Sequence, residues 1–170
     1  ILRERTATNR MPVDPVMVST IVTTNLAAAI AADYNVELRE VLTGFKYIGE
    51  TILRLEQKGE QNRFVFGFEE SYGYLAGSYV RDKDAVVASM LICEMAAYYT
   101  ANGSSLKAEL DRIYKTYGTY LHKVDSFEFE GLAGMDKMKQ LMADLRAGAP
   151  TQFAGYRVVR VEDSARSVST

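Results

Sequence analysis

The segment GFEESYGYLAGSYVRDKD, residues 67–84, gathers groups suited to polar chemistry: carboxylates at Glu69 and Glu70, the Ser71 hydroxyl, and the cations Arg81 and Lys83. A carboxylate can accept two hydrogen bonds from vicinal hydroxyls, a serine hydroxyl donates or accepts, and a lysine or arginine can face a phosphate. Earlier in the chain Thr43 offers a second hydroxyl, Gly44 a backbone that a ligand can approach closely, and Lys46 a further cation. This is the inventory for holding a polyhydroxylated, anionic small molecule. The same spacing also fits an exposed loop in which Glu69 and Glu70 pair with Arg81 and Lys83, worth about 0–1 kcal/mol. Residue types alone leave both readings open. Lys83 directly precedes Asp84, the expected cap of the following helix, where the helix dipole and partial desolvation would both lower an ammonium pKa. A proton donor and an ordinary surface lysine both fit that position.

The elements that must position these groups follow from composition. VMVSTIVTT, starting at Val16, is rich in β-branched residues and reads as a strand, and NLAAAIAADY reads as a helix with Asn25 at its cap. VELREVLT is a second strand, and Phe45, Ile48, Ile52 and Leu55 fall on one face of a helix that ends near Gly59. The short apolar run RFVFGF predicts a strand covered on both faces, leading into the 67–84 loop. AVVASMLICEMAAYYTA carries one charge, Glu94, over four turns, which predicts a central helix buried nearly all round with Cys93 packed inside it. Strand, helix, strand, helix, strand, loop, helix defines an α/β unit: a mixed, largely parallel sheet flanked by helices. In such sheets ligands bind beyond the carboxyl ends of the strands, where Thr23, Thr24, Asn25, Thr43, Gly44, Glu69, Glu70 and Ser71 all fall.

The first dozen residues, charged and ending at Pro12, are expected to form a linker, with the polar site belonging to a domain of residues 13–104. Beyond ANGSS, residues 105–170 read as a connecting amphipathic helix, an extended stretch TYLHKVDSFEFEG, a helix aligning Met135, Met138, Met142 and Leu145, and a strand in GYRVVRVEDSA. That β-α-β segment has too little apolar surface to close a core and is expected to be the truncated start of a further domain. SSLK, residues 104–107, matches a serine–lysine nucleophile pattern but opens an amphipathic helix and reads as a cap.

The 170 residues hold 20 basic and 22 acidic side chains, a net charge of −2, so no global field favours nucleic acid or a membrane surface. A single cysteine excludes an internal disulfide, and no run of about 18 apolar residues occurs, which points to a cytoplasmic, reducing setting. His122, the only histidine, has no Cys or His neighbour to complete a metal site and suits the surface. No GxxxxGK[ST] loop, GxGxxG fingerprint, HExxH motif or magnesium-type aspartate cluster occurs.

Three ordered stretches, TGFKYIGETI (43–52), FGFEESYGY (66–74) and VRDKDAVVASMLICEMAAYY (80–99), closely resemble the third domain of the α-D-phosphohexomutases, most of all the bacterial phosphoglucomutase/phosphomannomutase group. YKTYGTYLHKVDSFEFEGLAGMDKM (114–138) resembles the connection into the fourth domain and that domain's first elements. The resemblance implies a four-domain enzyme that interconverts hexose 1-phosphate and 6-phosphate through a bisphosphorylated sugar. It implies that Glu69 and Ser71 bind sugar hydroxyls and that Thr43, Gly44 and Lys46 lie on the ligand. It also implies that Lys83 stands near the phosphosugar to assist proton transfer, with Arg81 a further ligand from the same segment. The family's phosphoserine loop, aspartate-rich magnesium loop and RxSGTEP-like phosphate loop do not occur in these residues. The expected partners are therefore a hexose phosphate and the other domains of the same protein, with no nucleic acid and no membrane. Magnesium and a hexose bisphosphate are implied for the complete enzyme alone, no cofactor for this part, and no turnover by it in isolation. A non-catalytic sugar-phosphate binding or regulatory module, or an interaction domain, would use the same loop.

Overall fold

The β-branched run at Val16 supplies β1 (Val16–Thr20), buried at all five residues, in a four-stranded sheet of order β2-β1-β3-β4. This computed structural model describes residues 1–122 and 127–163 and the backbone of 168–169. β2 (Glu37–Val41) and β3 (Phe64–Glu69) flank β1 in parallel, and β4 (Gly73–Leu75) folds back antiparallel on β3. Side chains alternate across the sheet with period two. On one face Val16 and Val18 meet Phe45, Ile48, Ile52 and Leu55 of α3 (Phe45–Gln57), with Phe64 and Leu75 completing the cluster. On the other face Met17 and Val65 meet Leu2, Ala31 and Val36. Burial on both faces, with Phe64 in one cluster and Val65 in the other, is why β3 reads as a continuous apolar run. The architecture is α/β, with a mixed, largely parallel sheet flanked by helices.

β1 is shorter than its β-branched run, because the chain turns at Thr20, whose carbonyl accepts from the Thr23 N–H at 3.0 Å. α2 (Leu26–Asp33) starts after Asn25 as expected, but the Asn25 side chain makes no capping bond; the Thr24 hydroxyl accepts from the Leu26 N–H at 3.3 Å instead. Residues 1–12 are more than a linker. Leu2–Ala7 form α1, whose one buried side chain, Leu2, enters the second core cluster. Its charged neighbours hid it from a reading based on composition, yet they too are engaged: Arg3 donates to Glu109 at 3.2 Å and to the Tyr99 hydroxyl at 2.9 Å.

The largest departure is α4 (Ala85–Ala101). Asp84 caps it as expected, accepting from the Val87 N–H at 3.0 Å, but no residue of the helix is buried; Val86 is 80% and Met90 58% exposed, and Cys93 lies at the surface. The helix packs chiefly on β4 and on α5 (Leu106–Tyr117), with Arg3 of α1 reaching its Tyr99. Apolar composition reports the surface a helix is able to bury, not how much of it neighbouring elements cover. α5 opens on Ser105, whose hydroxyl accepts from the Ala108 N–H at 3.2 Å, so SSLK is indeed a cap. The Tyr117 hydroxyl donates to Asp33 at 2.5 Å, fastening α5 to α2, and this bond pushes the phenol up to about 12. The chain divides into compact units Ile1–His122 and Lys123–Thr170, so the boundary expected near residue 104 falls inside the first unit, and α5 belongs to it.

In the second unit α6 (Gly131–Ala147) aligns Met135, Met138, Met142 and Leu145 as expected, all exposed. The strand expected from Gly155 onward is reduced to short antiparallel ladders, β5 (Gln152–Phe153) with β6 (Tyr156–Arg157) and β7 (Glu162–Asp163) with β8 (Val168–Ser169). Residues 123–126 of the stretch expected to be extended, and 164–165 of the last strand, lie outside the described residues.

Candidate functional site

Because β2, β1 and β3 run parallel, the turns that follow them leave the same edge of the sheet. The register pairs Thr20 with Val41 and Val18 with Gly67, so Glu69 stands level with Thr20. Neighbouring strands lie about 4.8 Å apart. The ends of β2 and β3 are thus separated by roughly twice that, a gap a small polar ligand can bridge.

Glu69, the last residue of β3, is only 6% exposed. Its Oε1 lies 3.7 Å from Lys83 Nζ, beyond hydrogen-bond range, and among the described residues no protein group donates a hydrogen bond to the carboxylate. A buried charge is ordinarily paired and hydrogen-bonded, so this acceptor has room for donors from elsewhere. Lys83 Nζ also lies 3.3 Å from Asp82 and 5.3 Å from the Phe45 ring centre, with half of its side chain exposed. The expectation built on the helix dipole thus omitted the two carboxylates that face this ammonium. The Lys83 N–H and then its ammonium hold Asp82 below the usual carboxylate range.

Phe45 joins the turns to one another. It is buried immediately after Gly44, whose φ of +113° is open to glycine and strained for other residues, and this puts the ring at the first turn of α3. The ring and the Glu69 side chain both crowd Gly73: a Cβ there would stand 2.8 Å from Phe45 and 2.7 Å from Glu69. The β2–α3 turn, the β3–β4 hairpin and the segment before α4 therefore meet around one aromatic ring. The hairpin loop is Glu70, Ser71 and Tyr72, with Ser71 exposed and Tyr72 in the left-handed region at φ 62°.

Of the residues singled out from sequence, the structure brings Glu69, Lys83 and Gly44 together around Phe45, while Thr43, Ser71 and Lys46 are exposed beside them. Lys46 Nζ lies 4.8 Å from the Tyr47 ring. Arg81 is placed elsewhere: its guanidinium holds Glu56 of α3 and the carbonyls of Ser78 and Val80, because a fork of donors is filled by whichever acceptors its own loop presents. The all-ion-pair loop is likewise not what forms. Only Glu69 finds a loop cation, and Glu70 turns to the hydroxyls of Thr20 and Thr23 at 2.7 and 3.4 Å. Phe45 and Thr20 escaped the sequence reading, one disguised as a core aromatic and the other as a strand residue. His122 borders a shallow recess of ≈ 270 Å³ with Tyr120, Leu121 and residues 21–25. Among the described residues no group of three or more His, Cys, Asp or Glu side chains could hold a metal ion, so the magnesium implied for the complete enzyme has no ligand set in them. Among the described residues no helix is long and apolar enough to cross a membrane.

Comparison with known proteins bears on the family and the fold. The family model for phosphoglucomutase/phosphomannomutase, alpha/beta/alpha domain III, matches residues 1–117. A phosphoglucomutase of Staphylococcus epidermidis is 43% identical over 148 residues, 87% of this chain and 27% of that protein. One from Staphylococcus aureus is 40% identical over 147 residues, 86% and 26%. The chain thus spans about a quarter of the length of these curated relatives. Among solved structures, a putative phosphomannomutase from Thermus thermophilus superposes with a TM-score of 0.53 at 22% identity, over 69% of this chain and 24% of that one. The pp63/parafusin phosphoglucomutase of Paramecium, in its open form, gives 0.57 at 17% identity over 91% and 26%. These two establish likeness of fold. The chain belongs to the phosphoglucomutase/phosphomannomutase family, and its first unit carries that family's third α/β/α domain.

Proposed function

We propose that this chain is the sugar-recognition part of a phosphoglucomutase, an intramolecular phosphotransferase that interconverts hexose 1-phosphate and 6-phosphate through a bisphosphorylated intermediate. Its chief support is Glu69: an almost buried carboxylate at the meeting of three turns, beside one cation and, among the described residues, without a hydrogen-bond donor. Sugar hydroxyls supply the missing donors, and Ser71, Thr43, the Gly44 backbone and Lys46 complete the cradle. Contacts to a pair of hydroxyls are remade when the bisphosphorylated sugar rebinds in the reversed orientation, so one site serves both phosphate positions. Lys83, beside Glu69 and half open to solvent, is the group placed to move a proton to or from the sugar oxygen.

Phosphoryl transfer also needs a nucleophile and strong electrostatic stabilisation. The magnesium and phosphorylated serine implied for the complete enzyme would supply these, so the chain by itself is expected to recognise the sugar without turning it over.

The test is Glu69→Gln in the complete gene product. The amide keeps the shape and loses the charge, and hydrogen bonds to a charged group are worth about 1.5–3 kcal/mol. kcat/KM for glucose 1-phosphate should therefore fall roughly 10- to 100-fold, with the circular dichroism spectrum unchanged. A variant as active as the parent would refute the assignment.

A further inference from the structure

Glu70 sits between the two residues assigned to the sugar, yet its side chain turns away from Glu69 to the end of the central strand. Thr20, fully buried at the last position of β1, has its Oγ1 2.7 Å from Glu70 Oε2 and 2.7 Å from Thr23 Oγ1. An ionised carboxylate only accepts, so Thr20 gives its single proton to Glu70. The short contact to Thr23 then requires that Thr23 donate to Thr20, and the chain of hydrogen bonds runs one way, from Thr23 through Thr20 to Glu70. Thr23 Oγ1 lies 3.4 Å from the same carboxylate oxygen, which keeps all three groups within one compact cluster.

That anchor matters because the loop it holds is under strain. A three-residue hairpin loop needs its third residue in the left-handed region, a place glycine fills freely. Here it is Tyr72, at φ 62° and 86% exposed, so little packing secures the conformation. Glu70, at the first position of the same loop, is tied to the rigid centre of the sheet. We propose that Glu70 is a positioning residue, anchored by Thr20 and Thr23, that holds the 70–72 loop in the shape that presents Glu69 and Ser71 to the sugar. It touches no sugar itself. The inference depends on the sugar-recognition role proposed above.

A loop that must first be ordered taxes ligand binding by the fraction of molecules already in the competent shape. Thr20→Val in the complete gene product keeps the β-branched outline and deletes the hydroxyl. If the competent fraction drops to about one tenth, KM for glucose 1-phosphate rises about tenfold while kcat stays within about twofold. Thr20→Ser restores the hydroxyl and should restore KM. Glu70→Ala should match Thr20→Val, and the double variant should be no worse than either single one, because both break the same link. Hydrogen exchange at the amides of residues 69–73 should quicken in both. Thr23→Val, at a site less buried than Thr20, should show the same pattern more weakly and guards against a Thr20 variant that fails to fold.

An unchanged KM in Thr20→Val, additive single effects, or a loss of kcat in Glu70→Ala like that of Glu69→Gln would overturn the proposal, the last because Glu70 would then contact the sugar. The recognition role fails separately. If Glu69→Gln is silent while Thr20→Val and Glu70→Ala still raise KM together, the clamp stands and the sugar ligand is another residue. If exchange quickens with no change in KM, the link serves stability alone and the positioning role is refuted.

Discussion

Replacing Gly73 by alanine tests the packing that unites the three turns. A Cβ at this position would lie 2.7 Å from the Glu69 Cγ and Oε1 atoms and 2.8 Å from the Phe45 ring. Carbon atoms pack best at about 3.5–4.0 Å, so the neighbours would have to retreat by on the order of 1 Å. Phe45 is buried and Glu69 ends a paired strand, which leaves neither an easy path. Overpacking of this kind costs about 1–3 kcal/mol, and the reduced freedom of the unfolded alanine chain returns about 0.4–1 kcal/mol of it. The net loss should be up to about 2.6 kcal/mol, which at roughly 4 °C per kcal/mol lowers the melting temperature by up to about 10 °C. Thermal denaturation followed by circular dichroism measures this. Since Glu69 must move, KM for glucose 1-phosphate in the complete gene product should rise as well. A melting temperature and KM both equal to the parent's would mean that ring and carboxylate do not converge on Gly73, and the description of the site around Phe45 would fall with them.

Other expectations follow from the core and the helix contacts. Leu55→Ala, at a fully buried position between α3 and β1, should destabilise the fold by about 2–5 kcal/mol in urea denaturation, whereas an unchanged midpoint would contradict the cluster that places it there. The Tyr117–Asp33 bond raises the phenol from 10.0 to about 12, so its contribution to stability is intact below pH 10 and fades as pH rises through about 12. Comparing denaturation midpoints of the parent and Tyr117→Phe should show a difference at neutral pH that closes across that window. A difference that persists at the alkaline end would show that the hydroxyl bond is not its source.

Much of this was legible in the letters, and what escaped did so for identifiable reasons. The 3.6-residue spacing of Phe45, Ile48, Ile52 and Leu55 fixes the inner face of α3, and the capping residues Asp84 and Ser105 act where their types predict. β4 escaped notice because Gly73, Tyr74 and Leu75 are too few to show alternation and follow a loop with no glycine at its left-handed position. α1 escaped because one buried leucine carries its packing. At the site, residue type and strand-end location singled out Glu69, and the place before the Asp84 cap singled out Lys83, but the destinations of Arg81 and Glu70 depended on which acceptors and hydroxyls the turns happened to bring near. The hydroxyl of Thr20 is invisible to pattern because a β-branched residue in a strand needs no other explanation.

The antiparallel pairing of Gly67 with Leu75 and Glu69 with Gly73 leaves three residues to make the turn. One inserted residue would force a bulge or a shifted pairing, and a shifted pairing would swap the fully buried Leu75 with the exposed Tyr74 across the sheet. The tip is therefore locked in length, while the exposed Ser71 and Tyr72 side chains pack on no part of the core and can be exchanged without disturbing it. Evolution could retune this rim by exchanging side chains far more readily than by lengthening the loop.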